Sequence, residues 1–395
     1  MRSSLDRLID RFDPSVFDVG RPRARIRVEG AGGKTRDVLI EDGDVQVVAP
    51  HGEPDAELRA DPETWEAIAG DLRGGMAAFR AGRLRVRRDL HLGVGFLAAT
   101  APNDGPGRLK FRSVKTAVGS ISTMEAGAGE PVILIHGLGA TKASFLPTIG
   151  ALAPSHRTIA VDLPGFGDSD KPLLAAYDAP YFSDSMVALL DALELDRAHI
   201  VGNSMGGRVA IEIGLRAPER VGRLAMLAPS LAWLRPRPWA PYLRWVPTQL
   251  GFIQPAPRVL VESIVKRVVP GSSTEWTAAG IDEFLRSYLT PRGRAAFYAA
   301  ARNIYMEEPH GEDGFWTRLS SLQPDSLFVW GRKDVIVPSG FVRHVSEALP
   351  NATHLELDCG HVPQLERPKE THQAIVRFLA RGSLSKRRLA ASKSS

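Results

Sequence analysis

The stretch Val201-Gly202-Asn203-Ser204-Met205-Gly206-Gly207 sets one hydroxyl among glycines. A serine hydroxyl is a poor nucleophile at neutral pH. It needs a base to take its proton, an acid to orient that base, and N–H donors for the oxyanion. Gly202-x-Ser204-x-Gly206 has the spacing of a nucleophile elbow, where glycines let a strand and a helix come close and the serine takes the strained tip. The flanks fit: "AHIV" before it reads as a strand and "MGGRVAIEIGLRAP" after it as a helix. The plain alternative is a structural strand–helix turn. Metal and cofactor chemistry find no motif. There is no H-E-x-x-H or Cys/His cluster, and "GLGATK" lacks the third glycine and later acid of a dinucleotide loop, so neither group is expected.

Holding such a serine takes a sheet. "PVILIHG", "HRTIAVDLPG", "AHIVGN", "GRLAMLAP", "DSLFVWG" and "ATHLEL" are short apolar runs, suited to strands buried on both faces. Helical segments separate them: "YFSDSMVALLDAL", "MGGRVAIEIGLRAP" and "RPKETHQAIVRFLA". That alternation predicts a mostly parallel α/β sheet, with "LKFRSVKTA" and "GSISTMEAG" as a strand pair ahead of it. It breaks between about residues 229 and 322. This insert reads as helical and carries Trp233, Trp239, Trp245, Trp276 and Trp316, five of the seven tryptophans. Such an insert reads as a lid over an apolar pocket, or as a lid whose aromatics form its own small core.

The first block, to about residue 105, has another texture. "ARIRVEG", "TRDVLIEDGDVQVVAP" and "AELRAD" read as short strands, with Asp42-Gly43 as a hairpin turn. "DPETWEAIAGDL" reads as a helix capped by Asp61 with Pro62 at its first position, and "GGMAAFRAG" as a second helix ending at Gly82. The linker "TAPNDGPGR" marks a boundary. The expected organisation is a small α+β domain over 1–105, an α/β domain over 106–382 and a disordered basic tail over 383–395.

Bulk properties narrow the classes. The chain has 395 residues, 44% hydrophobic and 24% charged, an ordinary soluble composition. The formal charge is +5, and Arg381, Lys386, Arg387, Arg388 and Lys393 supply that value by themselves. The rest is near neutral, so no specific nucleic-acid partner is expected; a solvated tail, or peripheral contact with anionic lipid, is. The single cysteine, Cys359, and a charged N-terminus without an apolar signal segment fit a cytoplasmic protein. No apolar run spans a bilayer, and oligomeric state is not legible.

With these residues in view, the second block resembles the α/β-hydrolase family over about residues 107 to 382. "HGLG", His136 to Gly139, matches the family's oxyanion loop, which implies a backbone N–H from Leu138 and a second from Met205. "DLPGFGDSD", Asp162 to Asp170, is similar to a family turn beside the site, with Asp168 or Ser169 placed to cap a helix. The resemblance implies Asp334, in "GRKDVIVP", as the acid. After "RLAMLA", the other place for it, stands Pro229-Ser230 with no carboxylate. It implies His361, in "LDCGHVPQLERP", as the base, completing the order Ser, Asp, His. Cys359 reads as a small buried residue near that base. Serine at the elbow excludes the family's epoxide hydrolases and haloalkane dehalogenases, which use aspartate there.

"GNSMGG" and "CGH" also resemble hydrolases that cleave carbon–carbon bonds in ring-fission products of aromatic compounds. Those enzymes usually carry a tryptophan after the histidine, where this chain has Val362, and a more glycine-rich oxyanion loop. More loosely, residues 20 to 100 resemble the sterol carrier protein type-2-like domain, whose members bind lipids in an apolar tunnel. The function expected is a serine hydrolase acting through an acyl-enzyme on a hydrophobic or lipid-like carboxylic ester, or a thioester. Carbon–carbon cleavage and a lipid-binding or scaffolding role with an inactive hydrolase domain stay open beside it, as does an N-terminal module that packs without a ligand.

Overall fold

The computed structural model describes residues 3–18, 20–70, 81–102, 107–234 and 274–381, with isolated positions between them. The tail assigned to 383–395 lies outside the described residues. Among them no helix is long and apolar enough to cross a membrane.

The N-terminal sheet runs in the order β3-β2-β1-β4-β5, with β1 Arg23–Glu29, β2 Thr35–Glu41, β3 Asp44–Val48, β4 Ala56–Arg59 and β5 Arg85–Arg87. Along β1 every second residue, Ala24, Ile26 and Val28, is fully buried, so one face of this sheet meets a core. Asp42 and Gly43 both take positive φ, 50° and 89°, which matches the type I′ turn expected there. Helix α1, Ser4–Ile9, opens on a capping box at Ser3 and has no counterpart in the sequence reading. Helix α2, Pro62–Gly70, starts as expected: Asp61 accepts the N–H of Thr64 at 2.8 Å. Its Trp65 is buried and donates to the Glu29 carbonyl at 2.7 Å, fastening helix to sheet. Helix α3, Leu90–Ala99, also escaped the sequence reading. Nine of its ten residues are buried, so its apolar positions go all the way round and show no 3.6-residue period.

The second sheet has eight strands in the order β13-β12-β11-β10-β8-β9-β7-β6. In chain order these are β6 Lys110–Thr116, β7 Gly119–Ala126, β8 Glu130–Ile135, β9 His156–Val161, β10 Ala198–Asn203, β11 Val221–Leu227, β12 Ser326–Gly331 and β13 Thr353–Leu357. β8 to β13 pair in parallel, while β6 and β7 form an antiparallel edge. Alternate residues feed opposite faces: Val132 and Leu134 join one core, Ile133 and Ile135 the other. The first of these cores is continuous with that of the N-terminal unit, through Phe96, Phe111 and Met124.

Helices α4 Leu146–Leu152, α5 Ala179–Ala192, α6 Met205–Arg216, α7 Thr274–Tyr288, α8 Pro291–Tyr305, α9 Phe315–Leu319, α10 Phe341–Ala348, α11 Pro363–Glu366 and α12 Pro368–Ala380 accompany this sheet. Strand order reverses between β8 and β10, since β9 lies on the far side of β8. In an open α/β sheet such a reversal leaves a crevice at the carboxyl ends of the strands, the usual place for a ligand.

Candidate active site

Ser204 stands at that crevice, between the end of β10 and the start of α6, at φ 53° and ψ −115°. That conformation is sparsely populated by residues with a Cβ. The surrounding backbone enforces it. The Ser204 N–H donates to Leu227 O at 3.0 Å, and its carbonyl accepts from the N–H of Arg208 and of Ser230 at 3.1 and 2.9 Å. The glycines are required by space: a Cβ on Gly202 would lie 2.2 Å from Gly206 O, and one on Gly206 would lie 2.0 Å from Ile135 O. Strand and helix therefore approach more closely here than any side chain permits.

Asp334 and His361 are brought together by the loops after β12 and β13. His361 Nδ1 lies 2.7 Å from Asp334 Oδ2, and both residues are buried. The other carboxylate oxygen accepts the N–H groups of Ile336 and Val337 at 2.8 and 2.9 Å. Asp334 thus shapes its own turn and still presents one oxygen to the imidazole. The histidine loop is clamped by Glu366, whose carboxylate accepts Gly360 N–H at 2.8 Å and Val362 N–H at 3.0 Å, one on each side of His361. Asn203 Nδ2 donates to Leu227 O at 2.9 Å and to His361 O at 3.2 Å, joining the elbow to the histidine loop. Ser204 and His361 make no hydrogen bond with each other in this structure; such bonds often tighten only with substrate bound.

The loop after β8 faces the serine. A Cβ on Gly137 would lie 3.2 Å from the Ser204 Cβ. Leu138 follows Gly137 in the chain, and Met205 follows Ser204 at the start of α6. His136 is fully buried and accepts the Leu163 N–H on Nε2 at 3.0 Å. Its Nδ1, 2.7 Å from Gly137 O, is then the protonated nitrogen and donates. Burial pushes its pKa down, so the ring is neutral and holds the loop.

Sequence reasoning missed the ionic base of this loop. The Asp162 carboxylate accepts Lys142 N–H at 2.7 Å, Lys142 Nζ at 2.5 Å and Asp168 N–H at 2.9 Å. Lys142 Nζ also reaches Asp168 at 3.0 Å, and the lysine is 1% exposed. Burial works against the charge on Lys142, but Asp162 and Asp168 outweigh it and raise its pKa. Asp168 does not cap a helix: it binds Lys142 and receives two bonds from Arg286, at 2.6 and 3.1 Å. Nor does Ser169, whose hydroxyl donates to Asp162 O at 2.6 Å and accepts Ser122 N–H at 2.8 Å. The turn is an ion-paired knot because the buried lysine requires both carboxylates.

Residues expected over the pocket divide. Trp316 stacks on Phe341 and donates to Ala232 O at 3.2 Å, and Trp233 meets Phe341 edge-on, so both pack against helix α10. Trp245 is 86% exposed. Trp239 and the side chain of Trp276 lie outside the described residues. The aromatic face that does reach the oxyanion loop is Phe284 and Phe297: a Cβ on Gly139 would lie 2.7 Å from one ring and 3.2 Å from the other. Cys359 is buried, and burial first, then nearby carboxylates, push its thiol up to about 12. Among the described residues no group of three or more His, Cys, Asp or Glu is placed to hold a metal ion.

Comparison with known proteins identifies the families of the two units. Residues 130–368 match the model for the alpha/beta hydrolase fold, and residues 16–97 that for the SCP-2 sterol transfer family. Over 256 residues the chain is 31% identical to the dihydrolipoyllysine-residue acetyltransferase component of the acetoin cleaving system of Pseudomonas putida. That alignment covers 64% of this chain and 64% of that protein, so the chain spans just under two thirds of that relative. It is 28% identical over 266 residues to the 2-hydroxy-6-oxononadienedioate/2-hydroxy-6-oxononatrienedioate hydrolase of Escherichia coli, covering 65% of this chain and 90% of that one. Among solved structures, a bacterial membrane phospholipase A described as a virulence factor superposes with a TM-score of 0.58 at 26% identity, over 69% of this chain and 87% of that one.

Proposed function

The chain belongs to the α/β-hydrolase fold family, with an SCP-2-like unit ahead of it, and on that premise we propose that it is a serine hydrolase of hydrophobic or lipid-like carboxylic esters. The observation that carries the reading is the strained Ser204 beside a buried His361–Asp334 pair 2.7 Å apart. In this reading Ser204 Oγ attacks the ester carbonyl carbon as His361 takes its proton, and the N–H groups of Leu138 and Met205 receive the oxyanion. The alkoxide leaves with the proton from His361. Water, deprotonated by the same imidazole, then frees the acid from the acyl-enzyme. Asp334 holds the imidazole tautomer and stabilises its charged form. We assign residues 1–105 to a lipid-holding domain, 106–382 to the hydrolase, and the helices of the 229–322 insert to a lid over its mouth.

A second reading has support of its own in the Escherichia coli relative, most of whose length aligns here. The same serine would then cleave a carbon–carbon bond of a ring-fission product. Steady-state hydrolysis of p-nitrophenyl esters of graded acyl length, by wild type and Ser204→Ala, separates the readings. Ester turnover that falls at least about a thousandfold in the variant supports the ester hydrolase. No turnover by folded wild type, together with cleavage of a 2-hydroxy-6-oxo-dienoate, favours the second. Turnover that survives Ser204→Ala sinks both.

A further inference from the structure

Helix α7 is packed against β5 and α3 of the N-terminal unit as well as against its neighbour α8. Asp282, 6% exposed, is the main ionic contact. Its carboxylate accepts Arg87 Nε at 2.6 Å, Arg87 Nη2 at 3.2 Å and the Arg88 backbone N–H at 3.0 Å. Arg88 adopts φ 71°, an unfavourable conformation for a residue with a long side chain, while aiming that N–H. One turn further on, Arg286 binds Asp168 and lies 3.7 Å from Asp89, the residue that caps α3. Asp282 and Arg286 are four apart and share one face of the helix; Phe284 projects from the opposite side.

Phe284 meets the oxyanion loop. Its ring fills the place of a Cβ on Gly139, two residues from Gly137 at the Ser204 side chain. It stacks on Tyr288 with centroids 4.9 Å apart and meets Phe297 edge-on at 5.6 Å. The helix is thus a rod with the N-terminal unit on one side and the reacting centre on the other. Where the unit sets the rod decides where the aromatic wall stands.

We propose that the N-terminal unit sets the acyl-chain selectivity of the site, with Arg87 and Asp282 as the pair that positions α7 and Phe284 as the wall beside Gly139; this rests on the ester-hydrolase reading. A bidentate, charge-assisted pair fixes direction as well as distance. Removing it lets the rod withdraw and admits a longer chain. Selectivity is a difference between two substrates, so a wall that moves changes the ratio, whereas a general loss of folded protein lowers both rates alike.

The test uses the full chain as wild type, Arg87→Ala, Asp282→Ala, the double variant and Phe284→Ala. It measures kcat/KM for p-nitrophenyl butyrate and p-nitrophenyl palmitate. Alongside, it measures the rates at which short- and long-alkyl fluorophosphonates inactivate Ser204, with thermal unfolding as a control. The long-to-short ratio is expected to rise about tenfold in each single variant of the pair, with the double variant no further shifted, as coupled neighbours behave. Phe284→Ala moves the ratio the same way. A ratio unchanged in all variants, or additive shifts in the double, overturns the inference. If folded wild type turns over no ester but takes the fluorophosphonates, the ester reading fails and the inactivation ratio judges the inference. Folded wild type that reacts with neither overturns both. If Asp282→Ala does not fold, Asp282→Asn and Arg87→Lys carry the same comparison.

Discussion

Replacing Ser204 by glycine should stabilise the protein while abolishing its activity. At φ 53° and ψ −115° a Cβ crowds the backbone, and such residues cost about 1–3 kcal/mol. Glycine takes this conformation freely, but it returns about 0.5–1 kcal/mol through the larger entropy of its unfolded chain. The net gain is about 0–2.5 kcal/mol. Ser204→Ala is the reference, because it loses the hydroxyl and keeps the Cβ, so it carries the same strain as wild type. At roughly 2–4 °C per kcal/mol for a domain of this size, glycine should melt a few degrees above alanine. The assay is calorimetric melting of the three proteins in one buffer, with urea midpoints as a second measure and ester turnover on each. Both variants should be inactive. A glycine variant less stable than the alanine variant would refute the claim that Ser204 is held under backbone strain.

Gly206→Ala should not yield native protein, because its Cβ would stand 2.0 Å from the Ile135 carbonyl, and neither strand nor helix can retreat; circular dichroism and melting check this. The Cys359 thiol, pushed up to about 12 and buried, should not react with Ellman's reagent at pH 8 in the native protein. One equivalent should react after denaturation. The pKa of Asp168 stands well below 3.8: burial opposes its charge, but Lys142 and then the other neighbouring charges, Arg286 among them, outweigh burial. A depressed folded pKa contributes stability that is present above the unfolded value and lost as pH falls through the folded one. Wild type should therefore lose stability on acidification below about pH 3.8, and Asp168→Asn should lose it less steeply there. Urea melts from pH 6 to 2 read the two slopes.

The inner parallel strands were legible because each is a short apolar run, and burial on both faces leaves no other pattern for them; β13, expected to share that form, is instead a half-exposed edge strand with polar residues between its leucines. Helix α3 was illegible for the same physical reason turned round. Leu90–Ala99 is buried on nearly every side, and a helix without a polar face has no period to detect. The residues at the elbow and on the two late loops could be named from motif and order. Their supports could not. Asn203 and Lys142 act on groups distant in the chain, 158 residues away for Asn203 and His361 and 20 for Lys142 and Asp162, while Glu366 clamps backbone N–H groups that no motif marks. A buried lysine is a signal only once its burial is known. The direction of the insert's tryptophans could not be read, because aromatic content says nothing of direction. Trp316 packs against helix α10, while Phe284 and Phe297, less conspicuous in sequence, face the loop.

Phe17 pairs with Phe111 by an isolated parallel bridge, and Asp18 N–H donates to Phe111 O at 3.2 Å. Phe17 and His91 stand against the ring of Phe111, which is 2% exposed on the outer strand β6. The seam between the two units therefore runs through a shared interior. A recombination that detached the front would leave a bare phenylalanine at the margin of a sheet, open to adhesion between copies. Relatives of the hydrolase half that live without this front should carry a polar residue where Phe111 stands. Lineages that keep phenylalanine there should be those that never lost the partner.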